Sequence, residues 1–521
     1  MNTFFPFVKE MRTLYNEGLS VETIAGKQTI YIITNTLTMD LQAQACVFNM
    51  MQHNGLCACI FCEETGVVVK SGKGHTRSFP YREIKPKART SESIDASVEQ
   101  AVQQKKPVCG FHGRYILKHL PWNEFHVNCT IDYMHGFLLG FLKRMMTLWI
   151  DGSSFEQPYF IGHKLKEIDK TLKNIKTPYI IHRTPRKIQN NLNHWKASEF
   201  RSFLLYYGIP CVEGILPNSY LEHFACLVEA TFLLLQEKIT AKDLNRCKKL
   251  LDVFYKCMAP LYGEETCGLN VHNLSHIVEC VENWGPLWAY SCFSFDSCNG
   301  EISKAIHGKG NVSGEVYWAV HSEKILENEI KSLPHGKAKV LLKEIMSSRN
   351  TPNNENLEVG EQCYVMKPLV KMNIIPPSLA KEISIHLKIE EDKLQRIDIF
   401  KAVKIQRNRF VFYSKQCGRV KQNNSYTVLL QQPINRCDIV QVEYFIHISS
   451  PRTTIGVCSG FQRVHSLVKG RAPHIQVLEL KSQEEDNFML VPVSLFEEHI
   501  VYMEASGRKI IARFPNFIER D

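Results

Sequence analysis

The period at which apolar residues recur changes once along the chain. Up to about residue 350 they return every three to four positions over long stretches, as in helices that bury one face. Residues 136–149, 198–207, 220–237 and 241–258 show this most plainly, and the first residues read as a further amphipathic helix that starts abruptly. From residue 400 onward the period shortens to two, as in strands with one face inside. The alternating segments are 400–414, 425–432, 438–449, 474–482, 488–496 and 499–506. So many strands in about 125 residues predict a small antiparallel sheet or barrel. Residues 347–361, rich in Asn, Ser, Pro and Gly, separate the two regimes as a linker, and a Pro-bounded helix follows at about 377–392. One strand is expected early, over residues 30–39, a β-branched run that ends on Asp40. A carboxylate at the C-terminal tip of a buried strand can hold a metal without being buried itself. The expected fold class is α+β, with a mainly helical region and then a mainly-β C-terminal domain over 362–521.

Composition narrows the class of protein. A chain of 521 residues, 44% hydrophobic and 22% charged, has the make-up of an ordinary globular protein with room for two or three domains. No apolar run is long enough to span a bilayer, so no membrane partner is expected. The N-terminus lacks the basic stretch and cleavage site of a secretory signal, which predicts an intracellular protein with most of its 18 cysteines reduced. The net charge of +10 is modest, but it is clustered. Residues 164–187 hold eight Lys/Arg against Glu167 and Asp169, and residues 70–89 hold seven against Glu83. Such clusters suit phosphate contacts, and they equally suit a solvated surface.

Candidate chemistry lies in three places. Cys59 and Cys62 form a CxxC pair, and His272 and His276 stand at i and i+4, on one face of a helix. Two thiolates and two imidazoles satisfy tetrahedral Zn²⁺. A zinc shared by these distant segments would draw the Asp40 strand toward Asp296, and paired carboxylates are hard oxygen ligands for Mg²⁺ or Mn²⁺. Cys57 and His75 flank the CxxC and offer a purely local zinc knuckle as an alternative. Trp195 could stack on an extruded base or sit in the core. The segment 307–314 has glycines but neither the spacing nor the Lys-Ser/Thr pair of a phosphate-binding loop, so it reads as a turn.

Several ordered phrases resemble the DDE transposases of the CACTA (En/Spm-like, Tnp2) group, and more distantly the catalytic core of the V(D)J recombinase. They lie at 38–50, 53–66, 129–143, 193–210, 261–288 and 293–300, so the resemblance covers roughly residues 1–320. It implies an RNase H-like domain interrupted by a large helical insertion: a partial core over 1–128, the insertion over 129–290, and the last acid-bearing helix with the end of the catalytic domain over 291–346. It also implies metal-dependent DNA strand cleavage and transfer, transposon ends as partner, a nuclear location and a homo-oligomer. Carried over residue by residue, Asp40 becomes the second catalytic acid, Asp296 the third, and Cys59, Cys62, His272 and His276 the zinc ligands. Asp132 and His135 match a recurrent Asp-x-x-His of these transposases, and capping of the following helix is their plainer role. The family more often carries Glu at the last acid, which makes Glu301 and Glu315 fallback candidates. The usual Asp-x-Pro-Ala is here Asp40-Leu41-Gln42-Ala43. The first acid belongs on a strand well upstream of the second, yet residues 1–39 contain no aspartate. The expectation is an incomplete RNase H-like domain, inactive in cutting as it stands and poorly soluble alone, or a domesticated remnant that binds DNA or protein without chemistry.

Overall fold

The structure is a computed structural model that describes residues 4–121, 124–308, 310–346, 357–360, 363–418, 423–480 and 488–519. Helices dominate to residue 346 and a β domain follows, so the chain is α+β. The two longest apolar-striped segments fold as expected, into helices Asn218–Leu234 and Ala241–Tyr262. The second starts at a capping box in which Thr240 and Asp243 satisfy each other's backbone N–H groups, and it stops at Gly263, whose φ of 93° few other residues adopt. No helix among the described residues is long and apolar enough to cross a membrane.

Two segments expected as plain α-helix begin or end in the wider π form, Tyr133–Leu142 and Phe203–Tyr207. π turns are uncommon and often sit at functional sites. The first passes so close to the 269–276 segment that a Cβ on Gly140 would stand 2.4 Å from Asn270 Nδ2, so glycine is required there unless Asn270 moves.

The strand expected over 30–39 is broken up. Ile30 closes the strand Gly26–Ile30, which forms an exposed antiparallel hairpin with Leu19–Thr23. Residues 31–36 have no regular structure, and only Leu37–Met39 remains as the strand before Asp40. The β-branched run is not buried: Ile30, Tyr31 and Ile33 are exposed, which removes the reason for a continuous inner strand. Leu37–Met39 pairs in parallel with Cys129–Ile131, Met39 opposite Ile131, so Asp40 and Asp132 leave adjacent strands at the same end.

The C-terminal region is a ten-stranded antiparallel sheet rather than a small barrel, with a four-stranded sheet beside it. Its longest strand, Arg452–Val468, is not apparent from alternation because more than half of its residues are Thr, Ser, Gly, His, Gln or Arg. It runs beside Cys437–Ser449 on one edge and Arg471–Leu480 on the other. The Pro-bounded helix covers Pro377–Leu387 and ends at Lys388 in the left-handed conformation. Most of the 347–361 linker lies outside the described residues, and its described part, Leu357–Gly360, is a strand paired with Cys363–Val365.

The sheet and the helices share one core. Ile475, Val477, Val501, Met503 and Ile510 pack in the same cluster as Trp149, Phe224 and Phe254. His474 stacks flat on Phe232 at 3.9 Å and bonds through Nε2 to the Leu205 carbonyl. At the far end of the chain Glu519 pairs with Arg201 at 3.1 Å and accepts a hydrogen bond from Tyr133, the residue after Asp132.

Candidate metal and carboxylate site

The CxxC and HxxxH segments, some 210 residues apart in sequence, meet in space. Cys62 Sγ lies 3.2 Å from His272 Nε2, Cys59 Sγ 3.6 Å from His276 Nε2, and the two Nε2 atoms are 3.3 Å apart. The four ligand atoms all lie within 4.8 Å of one another, which makes a possible metal site. Bond lengths of roughly 2.3 Å to sulfur and 2.0–2.1 Å to nitrogen give tetrahedron edges of about 3.3–3.8 Å, so the donor set fits one tetrahedral ion.

Local structure explains how each ligand is held. His272 and His276 do not share one unbroken helix as the i,i+4 spacing suggested. A short helix, Leu269–His272, gives way to a 3₁₀ turn over Asn273–Ser275 before the helix Ile277–Trp284. Ser275 Oγ donates to the His272 carbonyl at 2.7 Å within that turn, and both rings still face the cysteines. Tyr255 fixes the orientation of His272. Its hydroxyl donates to the Phe79 carbonyl at 2.6 Å and sits 3.1 Å from His272 Nδ1. Burial pushes the Tyr255 phenol far up, so it remains a donor. With that proton committed to Phe79, the hydroxyl accepts from Nδ1–H and leaves the Nε2 lone pair for a metal.

The cysteine side is organised by Arg89, which is 2% exposed and donates to the carbonyls of Cys57, Cys59 and Cys109 at 2.9 Å each. One member of the 70–89 basic cluster is therefore an internal strut. The Phe61 N–H donates to Cys59 Sγ at 3.4 Å. The two thiols are a coupled pair: burial raises Cys59, but the hydrogen bond to Cys62 and backbone donors outweigh it and leave Cys59 lowered, while that same bond raises Cys62. The first thiolate thus forms more easily than in an isolated thiol.

The carboxylates gather next to this cluster. Phe61, between the two cysteines, stacks on His276 at 5.0 Å and also lines a small cavity bounded by Asp40, Asp132, Asn270 and Asn273. Asp40 caps the helix Leu41–Val47, its Oδ1 accepting from Ala43 N at 2.7 Å. Asp132 is buried and fully engaged. Its Oδ1 accepts from the backbone N–H of Met134 and Cys292, and its Oδ2 from the backbone and Nδ1 of His135, the latter at 2.6 Å. Burial pushes the Asp132 carboxyl up, yet these bonds prevail and hold it below its usual range. His135 is raised, first by the Asp132 bond and further by the charges of Asp296 and Asp40. His135 Nε2 lies 3.6 Å from Asp296 Oδ2. Asp296 is exposed in the first turn of helix Phe293–Lys304, whose start is tied to the strand tip by the Asp132–Cys292 bond.

The remaining sequence candidates fall elsewhere. Trp195 is 5% exposed and packs edge-on to Phe200 and against Phe203, so it is a core side chain and not a platform for a base. Glu301 follows Asp296 by five residues, about 140° around the helix, and pairs with Lys304 at 2.6 Å. Glu315 closes the 307–314 turn by accepting from the N–H groups of His307 and Gly308. Cys57 Sγ bonds the Glu63 carbonyl, and His75 sits on an exposed hairpin opposite Lys70; neither is in a metal-capable group among the described residues, so the local knuckle is not formed. Lys166, Lys170, Lys173, Lys176, Arg183 and Lys187 are exposed, while Arg186 is bound to Glu199. Sequence reasoning missed Tyr255, Arg89 and Cys292, which carry no motif and act only through contacts across the fold. No protein-family model matches the chain, and comparison with curated proteins gives no match.

Proposed function

We propose that this chain is a transposon-derived, DDE transposase-like protein, with an RNase H-like catalytic region braced by structural zinc, and that as it stands it does not cut DNA. The observation that carries this reading is the parallel strand pair whose tips both run into aspartate, Asp40 and Asp132, with Asp296 opposite across His135. Zinc suits the brace because two thiols, one with its proton loosened, face two imidazoles, one with its tautomer set by Tyr255. Mg²⁺ or Mn²⁺, when bound beside the carboxylates, supplies charge neutralisation at a phosphodiester and lowers the pKa of water. Asp40 and Asp296 retain oxygens for that role. Asp132 does not, because its oxygens are spent on three backbone N–H groups and His135. Two available acids are a poor clamp for two-metal chemistry, which supports the absence of cutting.

A second reading, a non-catalytic remnant domesticated to bind DNA or protein, is favoured by the exposed lysines and arginines of 164–187. They would track a phosphate backbone, as expected of a nuclear DNA-binding protein that self-associates. One experiment serves both readings. The zinc-loaded chain, mixed with duplex and terminal-repeat DNA, is followed by gel shift over a salt series and by nicking with Mg²⁺ or Mn²⁺. The expected result is salt-dependent binding without nicking. Nicking by purified protein would refute inactivity, and no binding at low salt would leave only a protein partner.

A further inference from the structure

We infer that the outer face of helix Val312–Ser332 pairs antiparallel, across a two-fold axis, with the same helix of a second copy of this chain. The inference names a surface for the self-association proposed above, but it rests on packing and not on any contact with DNA.

The helix packs one side against Phe293–Lys304, which carries Asp296, and against Lys337–Met346. On that side Val316, Ala319 and Val320 are half-buried and Ile330 is buried. About half a turn away, Trp318 is 64% exposed and Ile325 53%, on one stripe, with Tyr317 at 56% and Leu326 at 44% on its flanks. Tyr317 stands edge-on to Trp318 at 5.9 Å and against His321 at 4.0 Å, so the ridge is continuous. Together these four side chains leave about 450 Å² per chain in water, the size at which exposed apolar patches mark interfaces. Two such ridges, at the roughly 60% apolar share of an interface, correspond to about 1,500 Å² in total, the standard size of a stable complex.

The symmetry of the ridge selects a second copy. The midpoint of the helix is Ser322, with Trp318 four residues before it and Ile325 three after, Tyr317 five before and Leu326 four after. A two-fold axis at the midpoint lays the aromatic pair of each copy over the aliphatic pair of the other. The first turn carries Glu315 and the last turn Lys331, so antiparallel helices set unlike charges and unlike dipole ends side by side. Nucleic acid is a poorer fit, because Lys324 on the outer face stands against Glu315 and Glu329.

Sedimentation equilibrium of the full, zinc-loaded chain tests this. The expected result is a mass reaching twice the 60.0 kDa chain by about 50 µM. Trp318→Glu and Ile325→Lys, both at exposed positions, each weaken the dimer about 100-fold or more with zinc content and melting temperature unchanged. Mixing the two variants restores a heterodimer, since the new Glu of one copy then faces the new Lys of the other. A wild-type monomer at that concentration, variants that still dimerise, or a mixture that stays monomeric would overturn the inference, as would loss of DNA binding in Trp318→Glu at unchanged mass. A dimer that does not shift DNA sinks the DNA reading alone, and a monomer that shifts DNA sinks this inference alone.

Discussion

Tyr255→Phe is the smallest change that separates a metal centre from a fortuitous cluster of cysteines and histidines. It removes one oxygen from a buried position and leaves ring packing against Tyr81 and His272 in place. Two partners are affected: His272 Nδ1–H at 3.1 Å and the Phe79 carbonyl at 2.6 Å. Leaving a buried group without its hydrogen bond costs about 1–3 kcal/mol. The Phe79 loss falls on the folded chain whether or not metal is bound. The His272 loss falls mainly on the metal-bound form, because the ring is then free to take the wrong tautomer or to turn. A metal-specific penalty of about 1.4–2.8 kcal/mol corresponds to a 10- to 100-fold weaker site. Zinc affinity measured by competition with a chromophoric chelator should fall by that factor, and thermal melts with and without EDTA should lie closer together than for wild type. Unchanged zinc affinity in a folded Tyr255→Phe protein would refute the argument that this hydroxyl sets the ligand geometry.

Three further outcomes follow from other parts of the fold. Burial lowers His223 to about 4 and His474 and His499 to about 3, from 6.5. The unfolded chain therefore binds these protons first, and the stability present above 6.5 drains away as pH falls, by about 2 kcal/mol per histidine at pH 5; denaturant midpoints that stay constant from pH 7.5 to 5 would contradict this. Gly140→Ala places a methyl against the Asn270 amide and should destabilise the protein by about 1–3 kcal/mol, read as a lower melting temperature, where a neutral or higher value would show that Asn270 simply moves. Glu519→Ala strips the buried Arg201 guanidinium of its carboxylate at 3.1 Å and should cost about 3 kcal/mol in chemical denaturation.

The sequence was most legible where a pattern is local. The stripe of Ala241–Tyr262 and the alternation of Cys437–Ser449 are set by neighbours a few residues away, and both elements are found. It was misleading where burial decides. The β-branched run at 30–39 has strand-forming side chains but no face to bury, so it splits between a hairpin and an irregular segment. The four metal-capable residues were legible because ligand chemistry demands particular side chains in close pairs. Their supports were not, because a tyrosine on a long helix and an arginine in a basic run look like any others until the fold brings them to His272 and Cys59. Asp132 shows the same limit in reverse. Its sequence reading offered a recurrent Asp-x-x-His or a helix cap; the cap is found, and only its further bonds to Cys292 and the His135 ring reveal a clamp.

The change of period near residue 400 suggests a detachable β module, and the packing argues against detachment. Twelve apolar residues between Leu467 and Phe517 belong to the cluster that holds the central helices. Nine of them are Val, Leu, Ile, Met or Phe, and at about 1.5 kcal/mol each, the low end for burying such side chains, they contribute roughly 13 kcal/mol before the entropic cost of ordering them. The polar seams point the same way: Glu229 accepts from Ala472 N at 3.0 Å, and the Leu235 carbonyl accepts from Asn516 at 2.8 Å. Residues 1–361 alone should therefore fail to fold, expressing as insoluble or protease-sensitive material without a cooperative melt, even though they contain all four metal-capable residues and both free carboxylates. Because Glu519 reaches Tyr133 beside the Asp132 clamp, loss of the sheet should also loosen the carboxylate site before it disturbs the cysteines. A soluble 1–361 fragment that melts sharply and binds zinc as tightly as the full chain would show that the sheet is an accessory, and that the helices supply the core by themselves.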